Sequence, residues 1–478
     1  MNKLIRLSSL AHKIGTRGSS ARVTSFFPQR FLTTSTTDDE KKDTIQKKEP
    51  TSKQPSLPTV EKILQDAYFK PAGPMHDGVS VIKGNPNDET TLITPEDSQY
   101  FIPQVETMYD ERKKKKRVLV LATGGTLTMA PCPEKGGALA PVQGAVTNYM
   151  KEMKELNDEN MPEIVVHEYK PFLDSSDMGP NEWAVLASDV RSNYYHFDAF
   201  VILCGTDTMS YTATALSFLL ENLNKPVVFT GSQIPLSEPY NDARRNLIMA
   251  LIFATRDSIP EVSIFFHDRL LRACRATKVN THRLMAFDSP NMDPLAKIGI
   301  TIDENEHLSL PRARGALRVH SRMDTRLLTL RLVPGFDDGV LRQIVNSNDL
   351  KVLVLQLYGT GNLPSVKDSL VQLLADAVDK DILVVASTQC HTGSVMMGHY
   401  ATGIALKEAG VVSANDMTLE AISCKAAYLL GRGDLTVDQV GNLMDVSLRG
   451  EVTPSAALNP PPFANAYQRA SRKGKIYL

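Results

Sequence analysis

Cysteine is scarce. The chain has five in 478 residues, and Cys132, Cys204, Cys274, Cys390 and Cys424 never form a C-x-x-C pair. A scattered, odd-numbered set gives no zinc signature and fits a reducing compartment. Charge of one sign is also lacking. With 53 basic and 54 acidic residues the net charge is -1, which argues against a nucleic-acid partner. No apolar run approaches the roughly 20 residues of a membrane span, so no membrane partner is expected. G-x-x-x-x-G-K-[ST], H-E-x-x-H and paired Cys/His patterns are all missing. Gly359-Thr360-Gly361 lacks the third glycine of a dinucleotide fingerprint. His391 and His399 read as loop histidines rather than metal ligands.

What is present begins with a basic leader. Residues 1–37 carry Lys3, Arg6, Lys13, Arg17, Arg22 and Arg30 and no acidic residue. Serine and threonine are frequent, and Leu4, Leu7, Leu10, Ala11 and Ile14 sit at roughly helical spacing. That is the composition of a mitochondrial transit peptide, assigned here to residues 1–39. Localisation in the mitochondrial matrix is expected; cytoplasmic residence is the alternative. Residues 40–116 are polar and proline-rich, as a disordered linker would be, with one possible short helix at 60–69. The basic run Lys113 to Lys116 reads as a solvated domain edge.

Val118-Leu119-Val120-Leu121-Ala122 then forms a continuous apolar run, which ends at Thr123-Gly124-Gly125-Thr126. Such a run predicts a buried strand. Beyond it, strands at 164–169, 199–204, 226–230 and 261–266 alternate with helical patterns at 181–195, 210–223 and 241–255. Strand–helix repetition with short connections implies a parallel sheet covered on both faces. Residues 267–345 are less regular. A second run follows, with strands at 352–357 and 382–387 and helices at 365–378, 401–408, 418–429 and 437–444.

The candidate chemistry lies just past strand ends, where open α/β sheets place their ligands. Thr126 follows a glycine pair that also serves as an ordinary tight turn. Gly205-Thr206-Asp207-Thr208 stands between a strand and a helix, where Thr206 or Asp207 would serve equally as an N-cap. Asp174-Ser175-Ser176-Asp177 follows another strand and reads also as a plain turn. Lys278, in Ala276-Thr277-Lys278, reads also as a surface lysine. If these groups converge, a base takes a proton from a threonine hydroxyl and neighbouring donors hold an oxyanion. Acyl transfer or amide hydrolysis is the chemistry they suit.

These stretches together resemble the bacterial-type L-asparaginases, in their type I, cytoplasmic-type branch. The likeness extends to Thr230-Gly231-Ser232-Gln233-Ile234-Pro235, Tyr358-Gly359-Thr360-Gly361-Asn362, Thr388-Gln389-Cys390 and Asp416-Met417-Thr418 with Glu420. It implies an α/β fold: a larger N-terminal domain with a mainly parallel sheet flanked by helices, placed at 117–335, and a smaller C-terminal α/β domain at 346–454. A tail follows at 455–478. By the resemblance, Thr126 is the nucleophile that forms an acyl-ester, and Thr206, Asp207 and Lys278 form a second catalytic cluster. Asp174, Ser175, Ser176, Thr206 and Asp207 hold the substrate's amino and carboxylate groups. Asn362 reaches the site of a neighbouring subunit in a homodimer or homotetramer. The implied substrate is L-asparagine, the products aspartate and ammonia, and no metal or organic cofactor is implied.

Three positions depart from the family pattern. Cys204 replaces a histidine before Gly-Thr-Asp-Thr and is expected to pack beneath the site. Leu139 stands where a tyrosine is common. At a possible allosteric site, Cys390 matches but Gln356 replaces an arginine, which removes a charge-assisted clamp on a carboxylate. Two rival readings are a subunit of a tRNA-dependent amidotransferase and a catalytically silent amino-acid-binding protein. Retention of Thr126, Thr206, Asp207 and Lys278 together argues against the second.

Overall fold

In a computed structural model, Arg117–Ala122 forms strand β1, and every residue from Val118 to Ala122 is fully buried. The side chains alternate. Leu119 and Leu121 enter one core, while Val118, Val120 and Ala122 enter another on the opposite face. A strand buried on both faces has no polar side to show, hence the unbroken apolar run. The structure describes residues 91–92, 115–132, 137–172, 175–347, 349–364, 368–398 and 401–453. The leader, most of 40–116 with the helix at 60–69, the tail, Asp174 and His399 lie outside them.

The larger sheet has eight strands. After β1 come β2 (Glu163–Glu168), β3 (Ala199–Leu203), β4 (Val227–Thr230) and β5 (Val262–Phe266). Three shorter strands follow: β6 (Arg269–Arg272), β7 (Ala296–Ile298) and β8 (Ile302–Glu304). The spatial order is β2-β1-β3-β4-β5-β6-β7-β8. The first five are parallel and the last three antiparallel. The parallel part has the 2-1-3-4-5 order of doubly wound sheets, whose ligand crevice opens between the ends of β1 and β3. Thr126 follows β1 and Thr206 follows β3.

Helices cover both faces. Those near the site are α1 (Ala145–Glu152), α2 (Pro180–Ser192), α3 (Met209–Leu219) and α4 (Ala243–Ala254). The smaller sheet is wholly parallel, in the order β9 (Leu327–Arg331), β10 (Val352–Leu357), β11 (Leu383–Thr388) and β12 (Val412–Ser413). Its helices are α5 (Asp338–Val345), α6 (Asp368–Val378), α7 (Ala401–Glu408), α8 (Leu419–Gly431) and α9 (Val437–Met444). Helix α8 packs on α3, so one apolar core runs through both sheets' surroundings.

Two boundaries differ from those the pattern suggests. The helix expected at 210–223 stops at Leu219, because Leu220–Glu221 pairs with Arg318–Val319 instead. Strand β9, on the N-terminal side of the boundary drawn at 335, pairs with β10 and belongs to the second sheet. It is a half-exposed edge strand, so its residues carry neither a buried run nor a clean alternation.

Candidate active site

The glycine pair after β1 serves a close approach. Both Gly124 and Gly125 have positive φ, 138° and 86°. A side-chain carbon on Gly125 would lie 2.3 Å from the Cα of Gly205, the residue before Thr206. Gly205 is equally constrained, since a side-chain carbon there would lie 2.4 Å from Ser175 Oγ. Only glycine lets the first two loops meet backbone to backbone and the Ser175 side chain of the third close on them. Thr123 anchors the junction, its amide and hydroxyl both donating to the Leu203 carbonyl at 2.9 and 3.0 Å. Thr126 and Thr206 are thereby set one residue from the same contact, with Thr126 half-buried at the start of a 3-10 turn, Thr126–Thr128.

The helix after Thr206 takes Thr208 as its N-cap position, so neither Thr206 nor Asp207 serves as a cap. Their side chains turn to Lys278. Its Nζ donates to Thr206 Oγ1 at 2.9 Å and to Asp207 Oδ1 at 2.7 Å. Thr206 is only 6% exposed. The Lys278 side chain is 16% exposed and that of Asp207 74%. Lys278 is therefore not a surface lysine, while Asp207 still presents carboxylate to an incoming ligand. The Thr208 hydroxyl donates to the Ser175 carbonyl, which fixes the third loop against the second. Ser175 is buried and Ser176 exposed, at the start of a 3-10 turn.

Lys278 sits on a two-residue strand, Thr277–Lys278, paired with Phe287–Asp288. The C-terminal half of the chain holds that strand in place. Thr277 donates its hydroxyl to Glu420 Oε1 at 2.7 Å, from the first turn of α8. Burial pushes the Glu420 carboxyl above its ordinary range. Three residues before Lys278, the buried Arg275 pairs with Asp416 at 2.9 Å and donates to the Gly450 carbonyl at 2.7 Å. Glu420 and Gln233, whose Oε1 lies 3.3 Å from Thr206 Oγ1, are contacts that sequence reading leaves without a role. Their partners are far away in the chain, and only their family motifs mark them.

The other expected residues fall elsewhere. Asn362 lies in the turn after β10, where it forms an isolated bridge with Tyr358 and accepts the Thr402 hydroxyl at 3.3 Å. Gln356 and Cys390 share the end of that sheet. The Gln356 carbonyl accepts from Gln389 Nε2 at 2.8 Å, and the Cys390 amide donates to Thr388 Oγ1 at 3.0 Å. Cys204 is buried with its thiol 3.8 Å from Met178 Sδ. Leu139 lies in a hairpin of Met129–Cys132 and Ala138–Pro141, in register with Pro131.

Comparison with known proteins settles the affiliation. Residues 117–310 match the family model "Asparaginase, N-terminal", and residues 326–444 match "Glutaminase/Asparaginase C-terminal domain". The chain belongs to the asparaginase family. It is 43% identical over 341 residues to L-asparaginase 1 of Escherichia coli, covering 71% of this chain and 99% of that one. The crystal structure of L-asparaginase I from Vibrio cholerae aligns with a TM-score of 0.66 and 38% identity, covering 71% of this chain and 99% of that chain. A 60 kDa lysophospholipase of Mus musculus is 38% identical over 362 residues, covering 71% of this chain and 63% of its own length.

Proposed function

We infer that the chain hydrolyses the side-chain amide of L-asparagine to L-aspartate and ammonia. The observation that carries this is the Thr206–Asp207–Lys278 cluster beside Thr126, at the crevice of a chain 43% identical to an L-asparaginase. Thr126 is the nucleophile. Its hydroxyl oxygen attacks the amide carbon, the carbon–nitrogen bond breaks, and nitrogen leaves as ammonia with the threonine proton. The aspartyl ester then takes up water, which Thr206 and Lys278 orient. The ester oxygen returns to Thr126 with a proton, and aspartate is freed. Backbone N–H groups of the glycine turns are the donors this reading assigns to the carbonyl oxygen as charge builds on it.

Asp207, with one oxygen on Lys278 and most of its surface open, pairs with the substrate's α-ammonium group. Asp174, Ser175 and Ser176 bind beside it at the α-amino and α-carboxylate ends. Asn362 lies in the turn after β10 and is assigned to a neighbouring subunit's site, in a homodimer or homotetramer. Gln356 in place of arginine leaves the second asparagine site without its charged clamp. The basic leader directs the chain to the mitochondrial matrix.

A coupled ammonia assay on the full chain tests this reading. Release from L-asparagine well above that from L-glutamine is expected. No release from either, or turnover of a lysophospholipid instead, would reject it.

A further inference from the structure

Gln233 leaves strand β4 in a turn pressed against the strand end that delivers Thr206. A side-chain carbon on Gly231 would lie 2.4 Å from the Cys204 carbonyl oxygen, so only glycine fits there. The turn is locked from behind. The Gln233 amide donates to both Asp242 oxygens at 3.1 and 3.0 Å, and the Ile234 amide to one of them at 3.0 Å. Asn246 Nδ2 ties the Gly231 carbonyl to Asp242 at 3.0 and 3.2 Å. The Gln233 backbone is thus fixed before its side chain reaches anything.

The two ends of the Gln233 amide are not interchangeable. One end lies 3.3 Å from the Arg283 carbonyl, which only accepts, so that end is Nε2. The other end, Oε1, therefore faces Thr206 Oγ1 at 3.3 Å. An amide oxygen carries no proton, so Thr206 donates. Its oxygen is then left to accept from Lys278 Nζ at 2.9 Å. Every bond runs the same way: Lys278 to Thr206, Thr206 to Gln233, Gln233 to the Arg283 carbonyl. Arg283 closes the loop just past Lys278, where Asn280 Oδ1 accepts the His282 and Arg283 amides at 2.8 and 2.7 Å.

We propose that Gln233 is a positioning residue that aims the Thr206 proton away from Lys278, and so sets the pH range over which this pair moves a proton. The role rests on the hydrolase reading above. Thr206 releases a proton toward Lys278 only after its hydroxyl turns off the Gln233 oxygen. Both Gln233 contacts are long for hydrogen bonds, so they bias the hydroxyl and do not lock it. A displaced pH profile is therefore expected, not loss of activity. The charged groups that meet this chain are Lys278 and Asp207 at its head, Asp242 behind Gln233, and Glu420 on the Thr277 hydroxyl. The variants below leave all four unchanged.

The test is kcat/KM for asparagine against pH in the full chain, in wild type, Gln233→Glu and Gln233→Leu. A carboxylate at this place holds the proton on Lys278, and a hydrocarbon releases the hydroxyl toward it. The acidic limb is expected to move to higher pH in Gln233→Glu and to lower pH in Gln233→Leu. A shift of half a unit is a change of about threefold in rate on that limb. Unmoved limbs, or an equal loss of rate in both without displacement, would overturn the proposal and leave Gln233 a packing residue. Should Gln233→Leu fail to fold, the Gln233→Glu limb alone decides. A wild type inactive on asparagine overturns the hydrolase reading and this proposal with it. An active wild type with unmoved limbs overturns only the proposal.

Discussion

Lys278 Nζ lies 2.9 Å from Thr206 Oγ1, although 72 residues of chain separate them. The same nitrogen holds Asp207 at 2.7 Å. Lys278→Met keeps the apolar stem and removes the donor to both partners. Its kcat for ammonia release is expected to fall by roughly 10²–10⁴, the usual span for a positioned proton-transfer group. Thermal unfolding checks that the fold survives. A fall of less than about threefold would show that the lysine is not part of the chemistry.

Glu420 supports the same lysine from the other half of the chain, and its burial has a signed consequence. Its folded pKa is raised from 4.5, so the folded state holds this proton more tightly than the unfolded one. Stability is therefore lost as pH rises from the ordinary carboxylate value through the raised one. Glu420→Gln keeps an oxygen for Thr277 and removes the ionisation. The variant is expected to melt higher than wild type at neutral pH, with the gap closing below the ordinary carboxylate range. Melting curves across that range check it. A gap of constant size at every pH would contradict it.

Lys425 and Glu451 form an ion pair of 2.7 Å with both side chains 0% exposed. The lysine also donates to the Met444 carbonyl at 3.0 Å and to that of Val446 at 2.5 Å, and the carboxylate accepts the Leu448 and Arg449 amides. Removing one partner strands a buried charge. Glu451→Leu is expected to cost about 3–5 kcal/mol in denaturant unfolding. Lys425→Met combined with it is expected to recover a large part of that loss. A double variant no more stable than the single one would show that the pair's hydrogen bonds, not its charge, dominate.

The basic leader makes a separate expectation. Residues 1–45 fused to a fluorescent reporter should carry it into mitochondria. A reporter spread through the cytosol would remove the targeting assignment.

Much of the fold is written in strands buried on both faces. β1 and β3 read plainly because every side chain from Val118 to Ala122 and from Ala199 to Leu203 is buried and apolar. The antiparallel edge β6–β8 is less legible, since strands of three or four residues with mixed exposure carry no period. Leu220–Glu221 shows tertiary pairing overriding a helical pattern that continues past Leu219. At the site, chain position alone left Thr206 and Asp207 divided between capping and chemistry. The N-cap at Thr208 and the contacts with Lys278 separate the two roles. Gln233 and Glu420 meet partners 27 and 143 residues away, and no local pattern marks such a pairing.

The contact of Gly125 with Gly205 sets Thr126 and Thr206 each one residue from the same point, and the proposed acyl-ester route depends on that placement. The decisive measurement is ammonia release from L-asparagine by purified Thr126→Ala, with circular dichroism and melting temperature read on the same sample. The expected result is no detectable release from a protein folded like the wild type. Ammonia released at the wild-type rate by that folded variant would remove Thr126 as the nucleophile and the acyl-ester route with it.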